Sequence, residues 1–503
     1  MIKNVLVLGG GSAGLLTALA LKIKLPSLRI RVLRSREMGV IGVGEGTMPD
    51  FPELLYGYLK IEPSLFHREA RPTPKLGIKF LWGPRPSFNF AFGTNVLRDY
   101  KELARPTGYY CQEDMENLCE ASAMMSADKA YQRADNGTLI MGRELGYHIE
   151  NQRFVAFLES YSSSQGVELL DETIQEVRQD ERGITSLHAQ SGRAFSADLY
   201  VDSSGFQSLL LGKTFGEPFI DYHSTLYCDR AVVGPWDRSA GEPIKPYTTA
   251  ETMDAGWCWQ VEHEDCIARG YVYSSAFISD EDAELEFRAK NPRVTATRIV
   301  RFLSGHYRNS WVKNVVAVGN ASGFAEPLEA TSLAVICREA RRIVETLRAS
   351  YLDPGPASAR AYNLMAAASW DGIRDFLAAH YRFNTRLDTA FWRACRADVN
   401  LGGAADLIAY YGEEGPAEWG LNIHHLTHSF LGFSPDSYYT ILLGQRVPYR
   451  RVHSMTAEEA HHLRGIRAQH GAIAASAIPA AAALEALCHP QPGWNTAFYA
   501  ASM

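Results

Sequence analysis

Two apolar patterns follow one another at the start of the chain. Val5-Leu6-Val7-Leu8 is an uninterrupted apolar run, which is typical of a strand buried on both faces. From Leu15 to Leu21 the apolar residues indicate a helix. The pattern therefore predicts a buried strand, a turn and a helix within the first 25 residues.

The turn between them is rich in glycine. Residues 9–14 read Gly-Gly-Gly-Ser-Ala-Gly, a G-x-G-x-x-G sequence placed directly between the strand and the helix. Gly9 allows the tight turn, Gly11 lets a pyrophosphate approach the backbone, and Gly14 lets helix and strand pack closely. The phosphates would lie on the helix N-terminus. We therefore predict a bound dinucleotide contacted by Gly9, Gly11, Ser12, Ala13 and Gly14; the alternative is a glycine-rich turn in an ordinary α/β core.

Three more apolar runs predict further strands of the same sheet. They cover residues 29–33, 197–202 and 315–318, and each stops at small or polar residues. Such strand ends in parallel sheets are where cofactors bind. The first of these strands is followed by Arg34 instead of the usual acidic residue, and Arg34 is predicted to contact the cofactor.

The length and the later patterns predict more than one structural unit. A chain of 503 residues exceeds the usual size of a single core. We predict a discontinuous nucleotide-binding core over 1–355, with inserted substrate-side segments at about 80–150 and 215–300, and a mainly helical subdomain over 356–503. The alanine-rich tract from Ala472 to Ala486 is predicted to be helical. The expected fold class is α/β: a Rossmann-like domain with a mixed β-sheet insertion and a helical C-terminal part.

Composition narrows the classes of partner. The formal net charge is -7 and no basic stripe occurs, so nucleic acid is not expected. No apolar stretch is long enough to span a bilayer, and a cytoplasmic enzyme without membrane contact is expected. The eight cysteines are scattered without a CxxC pair, so no metal site is predicted.

Four further motifs carry a family resemblance. They are Ile41 to Pro49 (IGVGEGTMP), Lys79 within Leu76 to Phe80 (LGIKF), Gly256 to Glu262 (GWCWQVE), and Asn320 to Thr331 (NASGFAEPLEAT). With the N-terminal fingerprint, their order and spacing resemble the flavin-dependent halogenases of the tryptophan halogenase family. The similarity runs from residue 1 to about 345.

The resemblance implies a cofactor and a reaction. Reduced FAD, dioxygen and chloride or bromide would give hypohalous acid, which would halogenate an electron-rich aromatic ring such as an indole. Only one nucleotide fingerprint is present, so the chain either shares one site between nicotinamide and flavin or receives flavin already reduced. The resemblance implies the second case, with FADH2 supplied by a separate reductase; a homodimer is left open. Beyond the fingerprint and Arg34, the implied cofactor contacts are Gly42, Val43, Gly44, Glu45, Gly319, Asn320 and Leu328.

The resemblance also assigns the catalytic side chains. Lys79 would hold hypohalous acid or form a haloamine beside the substrate, and Glu329 would steer the oxidant or take the proton from the ring. From the residues alone, Lys79 equally fits the wet face of a strand, and Glu329 fits a helix's first turn.

Halide and flavin-side positions follow from the same comparison. Thr331 and Ser332 would bind halide through backbone amides, with Ser332 where the family usually has glycine. Trp257 and Trp259 would lie beside the flavin, and their alternative is two packed residues of one strand. Glu262 replaces the proline of the family's tryptophan motif.

Two other functions remain open at this stage. A flavin-dependent aromatic monooxygenase shares the nucleotide fold, and a non-catalytic flavin-binding protein could keep it. The substrate-side residues after Tyr410-Tyr411 differ from those of tryptophan-specific members. Trp419 and the stretch from His424 to Phe433 are predicted to occupy that space instead, so an indole, phenol or pyrrole, or a larger indole derivative, is expected.

Overall fold

The four predicted apolar runs form neighbouring strands of one sheet. The computed structural model of the chain describes residues 1–36, 44–94, 115–142, 144–417 and 433–490. The six strands of this sheet lie in the spatial order β10 (Glu168–Asp171), β2 (Arg29–Arg34), β1 (Asn4–Leu8), β14 (Leu199–Asp202), β23 (Val315–Ala317) and β22 (Trp311–Val312). All pairs are parallel except β22 with β23.

Strand β1 is buried on both faces, as its uninterrupted apolar run predicts. Val5 and Val7 belong to one hydrophobic cluster, and Leu6 and Leu8 to another on the opposite side of the sheet. In the sheet, Val5 pairs with Ile30 of β2 on one side and with Leu199 of β14 on the other.

A second, larger sheet is mixed. Its seven strands lie in the order β20 (Arg298–Arg301), β16 (Arg230–Asp237), β19 (Cys266–Tyr273), β18 (Gly256–Glu262), β17 (Thr248–Met253), β5 (Gly77–Leu81) and β6 (Phe88–Ala91). Only β5 and β17 run parallel. Ile78 and Phe80 point from β5 into a third hydrophobic cluster, which also contains Trp257 and Trp259, so Lys79 between them lies on the other face.

Smaller sheets complete the β structure. They comprise β3 (Glu45–Gly46), β9 (Gly146–Ile149) and β4 (Thr73–Lys75); β11 (Ile174–Asp180), β12 (Gly183–Ala189) and β13 (Ala194–Phe195); β15 (Phe219–Asp221), β21 (Gly305–Tyr307) and β24 (Gly323–Phe324); and the pair β7 (Gln132–Arg133) and β8 (Leu139–Ile140).

Helices cover the sheets and dominate after residue 330. They are α1 (Ser12–Lys24), α2 (Asp50–Pro52), α3 (Pro63–Ala70), α4 (Glu120–Ser126), α5 (Asn151–Ser164), α6 (Asp280–Lys290), α7 (Thr331–Ala349), α8 (Pro356–Phe383), α9 (Ala390–Asp398), α10 (Ala405–Glu414), α11 (Pro435–Gly444), α12 (Ala457–Ser476) and α13 (Leu484–Leu487). Shorter helical turns lie at Glu53–Tyr58, Gly205–Gln207, Leu209–Thr214, Gly319–Ala321, Pro327–Glu329, Gly402–Ala404 and Ala480–Ala482.

The alanine-rich tract near the C-terminus is not one helix, which corrects the sequence-based prediction. Helix α12 ends at Ser476, and α13 begins only at Leu484. Pro479 lacks the N–H that a continuous helix needs and disfavours helical backbone at the residue before it. Instead, Ile478 pairs with Tyr131 in an antiparallel bridge, which ties the C-terminal segment to the N-terminal half.

Within the described ranges, no helix combines the length and the apolar character that crossing a membrane requires.

Candidate active site

The glycine turn after β1 has the tight geometry that the fingerprint predicts. Gly9 has a φ of +123°, and a Cβ there would lie 2.2 Å from the carbonyl oxygen of Ser203. A Cβ on Gly14 would lie 2.1 Å from the carbonyl oxygen of Gly9. Because neither position has room for a side chain, the strand, turn and helix α1 pack as closely as a dinucleotide fold requires.

The N-terminus of α1 offers an anion site. No protein atom of the described residues lies within 4 Å of a Cβ built on Gly11, and no side chain caps the helix. The first intrahelical bond is donated by the N–H of Leu15, so the amides of Ser12, Ala13 and Gly14 have no intrahelical acceptor. Open space beside unused N–H groups at a positive helix end fits a pyrophosphate.

A second turn brings another predicted cofactor segment to the same place. Gly319, with a φ of +58°, would place a Cβ 2.9 Å from that of Ala13. The buried carboxyl of Glu339 holds this turn, accepting from the N–H of Gly319 at 2.7 Å and from the hydroxyl of Ser322 at 2.6 Å. Asn320 follows, half-exposed.

Arg34 is anchored to the protein. It lies at the end of β2, where its guanidinium pairs with Glu159 of α5. Its Cβ lies 2.5 Å from the position of a Cβ on Gly10, so it packs against the glycine turn. This location is next to the predicted dinucleotide cradle.

The predicted flavin loop is described only in part. Gly42 and Val43 lie outside the described residues. Gly44 has a φ of +79°, and its missing Cβ would meet Nε2 of His263 at 2.5 Å. Glu45, in β3, accepts a hydrogen bond from the Asn151 amide, and burial raises the pKa of its carboxyl.

Glu329 lies in a strained turn immediately before α7. The turn Pro327–Glu329 is followed by Ala330 in the left-handed region, with a φ of 55°. Helix α7 then begins at Thr331 without a side-chain cap, so the amides of Thr331 and Ser332 are at a positive helix end. Leu328 and Glu329 are buried, and burial raises the pKa of the Glu329 carboxyl.

The lysine that faces Glu329 is Lys75, which the sequence motifs did not single out. It ends β4, is fully buried, and its Nζ has no hydrogen-bond partner among the described residues. A Cβ on Gly46 would lie 2.9 Å from this Nζ and 3.3 Å from Cβ of Ala330. Lys75 therefore lies next to the turn that carries Glu329.

Burial changes the charge state of this lysine. Loss of solvent lowers the pKa of Lys75 to about 7, and the Glu329 carboxylate opposes that change. The Phe92 ring supplies the nearest π-face, its centroid 5.1 Å from Nζ. Near neutral pH the group is therefore divided between an ammonium and a nucleophilic amine.

Lys79 lies elsewhere. Its Nζ is 4.7 Å from the ring centroid of Tyr247, in an open cleft of about 410 Å³ on the outer face of the seven-stranded sheet. That cleft is lined by further charged side chains, including Lys245, Arg269 and Lys290. The structure does not bring Lys79 and Glu329 together. The position of Lys79 matches the alternative in which this lysine lies on the solvent-facing side of a strand.

A histidine from the C-terminal helices also reaches Glu329. Nε2 of His380, on α8, lies 2.7 Å from Oε1 of Glu329, and both side chains are 1% exposed. His380 lies 51 residues after Glu329 along the chain, outside every motif that carries the family resemblance. Only the packing of α8 reveals it.

The two predicted flavin-side tryptophans are packed neighbours on β18. Trp257 and Trp259 are buried, with ring centroids 6.1 Å apart. Trp257 lies beside the buried carboxyl of Glu326, together with Tyr381 and Cys228, and burial raises the pKa of Glu326 to about 7. The tryptophans thus lie in the same hydrophobic core as the turn Pro327–Glu329.

Glu262, at the family's proline position, has a clear structural role. Its carboxylate accepts from Arg238 at 2.6 Å, and both side chains are almost fully buried. Gln260 also donates to it at 2.6 Å. The substitution therefore replaces proline with a buried, paired charge.

Comparisons with known proteins identify the family. The tryptophan halogenase family model matches residues 4–461. The chain belongs to the tryptophan halogenase family. It is 34% identical over 425 residues to tryptophan 6-halogenase ThaL of Streptomyces albogriseolus, covering 78% of each chain.

Solved halogenase structures share the whole fold. MibH, a lanthipeptide tryptophan 5-halogenase, superposes with a TM-score of 0.87 at 37% identity, covering 97% of this chain and 93% of its own. BrvH, a flavin-dependent halogenase from Brevundimonas sp. BAL3, gives 0.83 at 27% identity, covering 97% and 99%. These findings confirm the predicted family, the α/β fold class and a flavin-dependent halogenating enzyme. They do not favour the aromatic hydroxylase.

Proposed function

We propose that this halogenase uses FADH2, dioxygen and chloride or bromide to halogenate an indole. Reduced FAD, when bound, supplies two electrons, so that FADH2, dioxygen, halide and one proton yield FAD, hypohalous acid and water. The acid then replaces a ring hydrogen with halogen, and the second oxygen also leaves as water. The remaining tasks belong to this chain's own residues.

The observation that carries the proposal is the buried juxtaposition of Lys75 and Glu329. Lysine is almost never fully buried without a function or a partner. Here its amine has no hydrogen-bond partner among the described residues and faces a carboxyl in a water-poor site. An aromatic hydroxylase needs no such amine.

We assign to Lys75, and not to Lys79, the role of holding the oxidant, hypohalous acid. As an ammonium it donates a hydrogen bond to hypohalous acid. As the neutral amine it exchanges an N–H for an N–halogen bond with loss of water. The pKa of about 7 makes both forms available at neutral pH.

Glu329, Thr331 and Ser332 complete the proposed site. The Glu329 carboxylate takes the proton from the ring carbon after halogen is added. The uncapped amides at the start of α7 bind halide, as a helix N-terminus readily binds an anion. The nucleotide cradle at α1, with Gly319 and Asn320, holds the adenine-nucleotide side of FAD.

The substrate class is an indole carried by tryptophan or a larger molecule. ThaL is named a tryptophan halogenase and MibH a lanthipeptide tryptophan halogenase. Residues 418–432, which cover most of the predicted substrate stretch, lie outside the described residues. Free tryptophan and a tryptophan-bearing peptide are therefore both assay substrates.

The supply of FADH2 is assigned to a separate reductase, because one nucleotide fingerprint is present in the sequence. The homodimer, the cytoplasmic location and the boundary near residue 355 stay predictions.

A pair of lysine variants tests the assignment. We expect Lys75→Ala to lower halogenation by at least about a hundredfold, because the oxidant loses the group that holds it next to the ring. Lys79→Ala is the matched control, since its Nζ lies on the outer face of the sheet. Product is measured by mass spectrometry with FAD, bromide, NADH and an added reductase, and hydrogen peroxide is measured in parallel.

The two variants give opposite results if the assignment is correct. Lys75→Ala should still consume FADH2 and release hydrogen peroxide, and Lys79→Ala should halogenate within about twofold of the parent. An inactive Lys79→Ala beside an active Lys75→Ala would reverse the assignment. Hydroxylated product without halide would reject halogenation itself.

A further inference from the structure

Glu329 is held by a histidine from the helical half of the molecule. Oε1 of Glu329 and Nε2 of His380 are 2.7 Å apart, which is in the range of charge-assisted hydrogen bonds. The other ring nitrogen, Nδ1, lies 2.9 Å from the carbonyl oxygen of Phe376, one helical turn earlier in α8. Both imidazole nitrogens are therefore engaged.

The partners of His380 fix the proton count of the His380–Glu329 pair, and not of the ring alone. A carbonyl oxygen only accepts, so Nδ1 carries a hydrogen. If the ring were neutral, Nε2 would be a bare acceptor, and the bond would require a protonated carboxyl. If Nε2 also carries a hydrogen, the ring is an imidazolium donating to a carboxylate, and the buried pair is neutral overall.

The surroundings hold this ring in one orientation. The Phe376 ring meets the imidazole edge-on with centroids 4.8 Å apart, and the Phe80 ring lies 5.3 Å away on another side. The second oxygen of Glu329, Oε2, is buried and accepts no hydrogen bond from the described residues. One carboxylate oxygen is thus held, and the other is available.

We propose that His380 is a positioning residue, whose Nε2–H donates to Oε1 of Glu329 and leaves Oε2 as the oxygen that takes the ring proton. This inference rests on the proposed function, because the proton acceptor is needed only if an aromatic ring is halogenated. His380 itself touches Glu329 and not the substrate.

A pH effect follows from the charges facing Glu329. Within the described part of the chain these are Lys75 from β4 and His380 from α8. Both cations lower the pKa of a carboxyl whose burial raises it. Replacing His380 with a neutral donor removes one cation, so the Glu329 carboxylate should form only at higher pH.

Two substitutions separate positioning from packing. His380→Gln keeps an N–H that can donate to Oε1 but cannot carry charge, and His380→Phe fills the space without a donor. His67→Gln is the matched control, because His67 is also buried but hydrogen-bonds with Tyr147 in a different core. Parent and variants are assayed with L-tryptophan, bromide, FAD and a reductase, recording kcat and KM between pH 5.5 and pH 9, a range of about 3.5 units around the pKa of histidine.

We expect kcat to fall at least about fiftyfold in His380→Phe and no more than about fivefold in His380→Gln, with KM changed less than about threefold in both. The acid limb of kcat should move to higher pH in His380→Gln. His67→Gln should match the parent. A parent-like kcat in His380→Phe, an equal loss in His380→Gln, or an unmoved acid limb would overturn the proposal.

A measurement on protein without cofactor keeps the test independent of turnover. In protein labelled with ¹⁵N-histidine, Nε2 of His380, assigned by its loss in His380→Gln, should be protonated at neutral pH. It should lose that proton in Glu329→Gln, where the side-chain amide donates instead. An unprotonated Nε2 in the parent would overturn the proposal even if the parent halogenates tryptophan, whereas a parent that halogenates no arene would reject the proposed function first.

Discussion

At the scale of single residues, local sequence identified the carboxylate of the site but not its lysine. Glu329 was recognised because it sits in a long motif with Pro327 and Thr331 around it. Lys75 lies four residues before Lys79, just outside the motif from Leu76 to Phe80, and the sequence pattern does not say which of the two lysines turns inward. The choice depends on Gly46 and Ala330, which come from distant segments and close around Nζ of Lys75.

Burial of Lys75 makes stability depend on pH. Its pKa in the folded protein is about 7, against 10.5 when unperturbed. Between these values the unfolded chain still binds a proton that the folded protein has released. The free energy of unfolding should therefore rise with pH, and this group contributes about 1.4 kcal/mol per pH unit in that window.

Lys75→Met should be more stable than the parent at pH 7 and should lose this part of the pH dependence. Urea unfolding at pH 7 and pH 9.5, with the half-buried Lys79 changed to Met as the control, measures this difference. A parent and a Lys75→Met variant with parallel pH dependence would contradict a lowered pKa.

At the scale of elements, the hydrophobic pattern predicted the strands but not how the helices pack on them. The segments at 5–8, 29–33, 197–202 and 315–318 are β1, β2, β14 and β23 in the structure. The uninterrupted apolar runs at 5–8 and 315–318 are typical of strands buried on both faces, whereas Arg29 and Arg31 interrupt the pattern of β2. His380 could not be found this way. A histidine on a buried helix face gives the same pattern whether it contacts a carbonyl or a carboxylate.

The pairing of β18 with β19 supplies an element-scale prediction. Gly270 lies opposite Trp259, and a Cβ there would be 2.1 Å from the indole ring. Gly270→Ala should lower the free energy of unfolding by about 1–3 kcal/mol through overpacking. In the interior of α12, a Cβ on Gly465 would have no atom of the described residues within 4 Å, so Gly465→Ala should instead raise the free energy of unfolding by about 0.5–1 kcal/mol. Thermal unfolding should show a lower melting temperature for Gly270→Ala and a higher one for Gly465→Ala. Equal changes in melting temperature would refute the packing argument.

At the scale of the whole molecule, a segment late in the chain shares one hydrophobic core with the first strand. Ala477, Ala480 and Leu487 from the C-terminal segment belong to the same hydrophobic cluster as Val5 of β1. The sequence predicted a helical C-terminal part but gave no sign of this return, because long-range pairing leaves no local periodicity.

A chain ending at residue 455 should therefore be less stable throughout, and not merely shortened. We expect a lower melting temperature and increased aggregation, because buried apolar surface on the N-terminal half is uncovered. Leu487→Ala in the full chain should show a smaller loss of about 2–5 kcal/mol. A shortened chain that melts cooperatively at the parent temperature would show that the C-terminal segment is dispensable.

Consecutive residues of α8 contact the two buried carboxyls just before α7, since His380 hydrogen-bonds with Glu329 and Tyr381 lies beside Glu326. During synthesis, the nucleotide cradle, including Glu339, is complete about 40 residues before these two side chains leave the ribosome, an interval of about 2–8 s at ordinary elongation rates. A nascent chain with a folded nucleotide cradle therefore lacks, during this interval, the histidine that holds Oε1 of Glu329. The cradle and the orientation of the Glu329 carboxylate are thus completed at separate stages of synthesis.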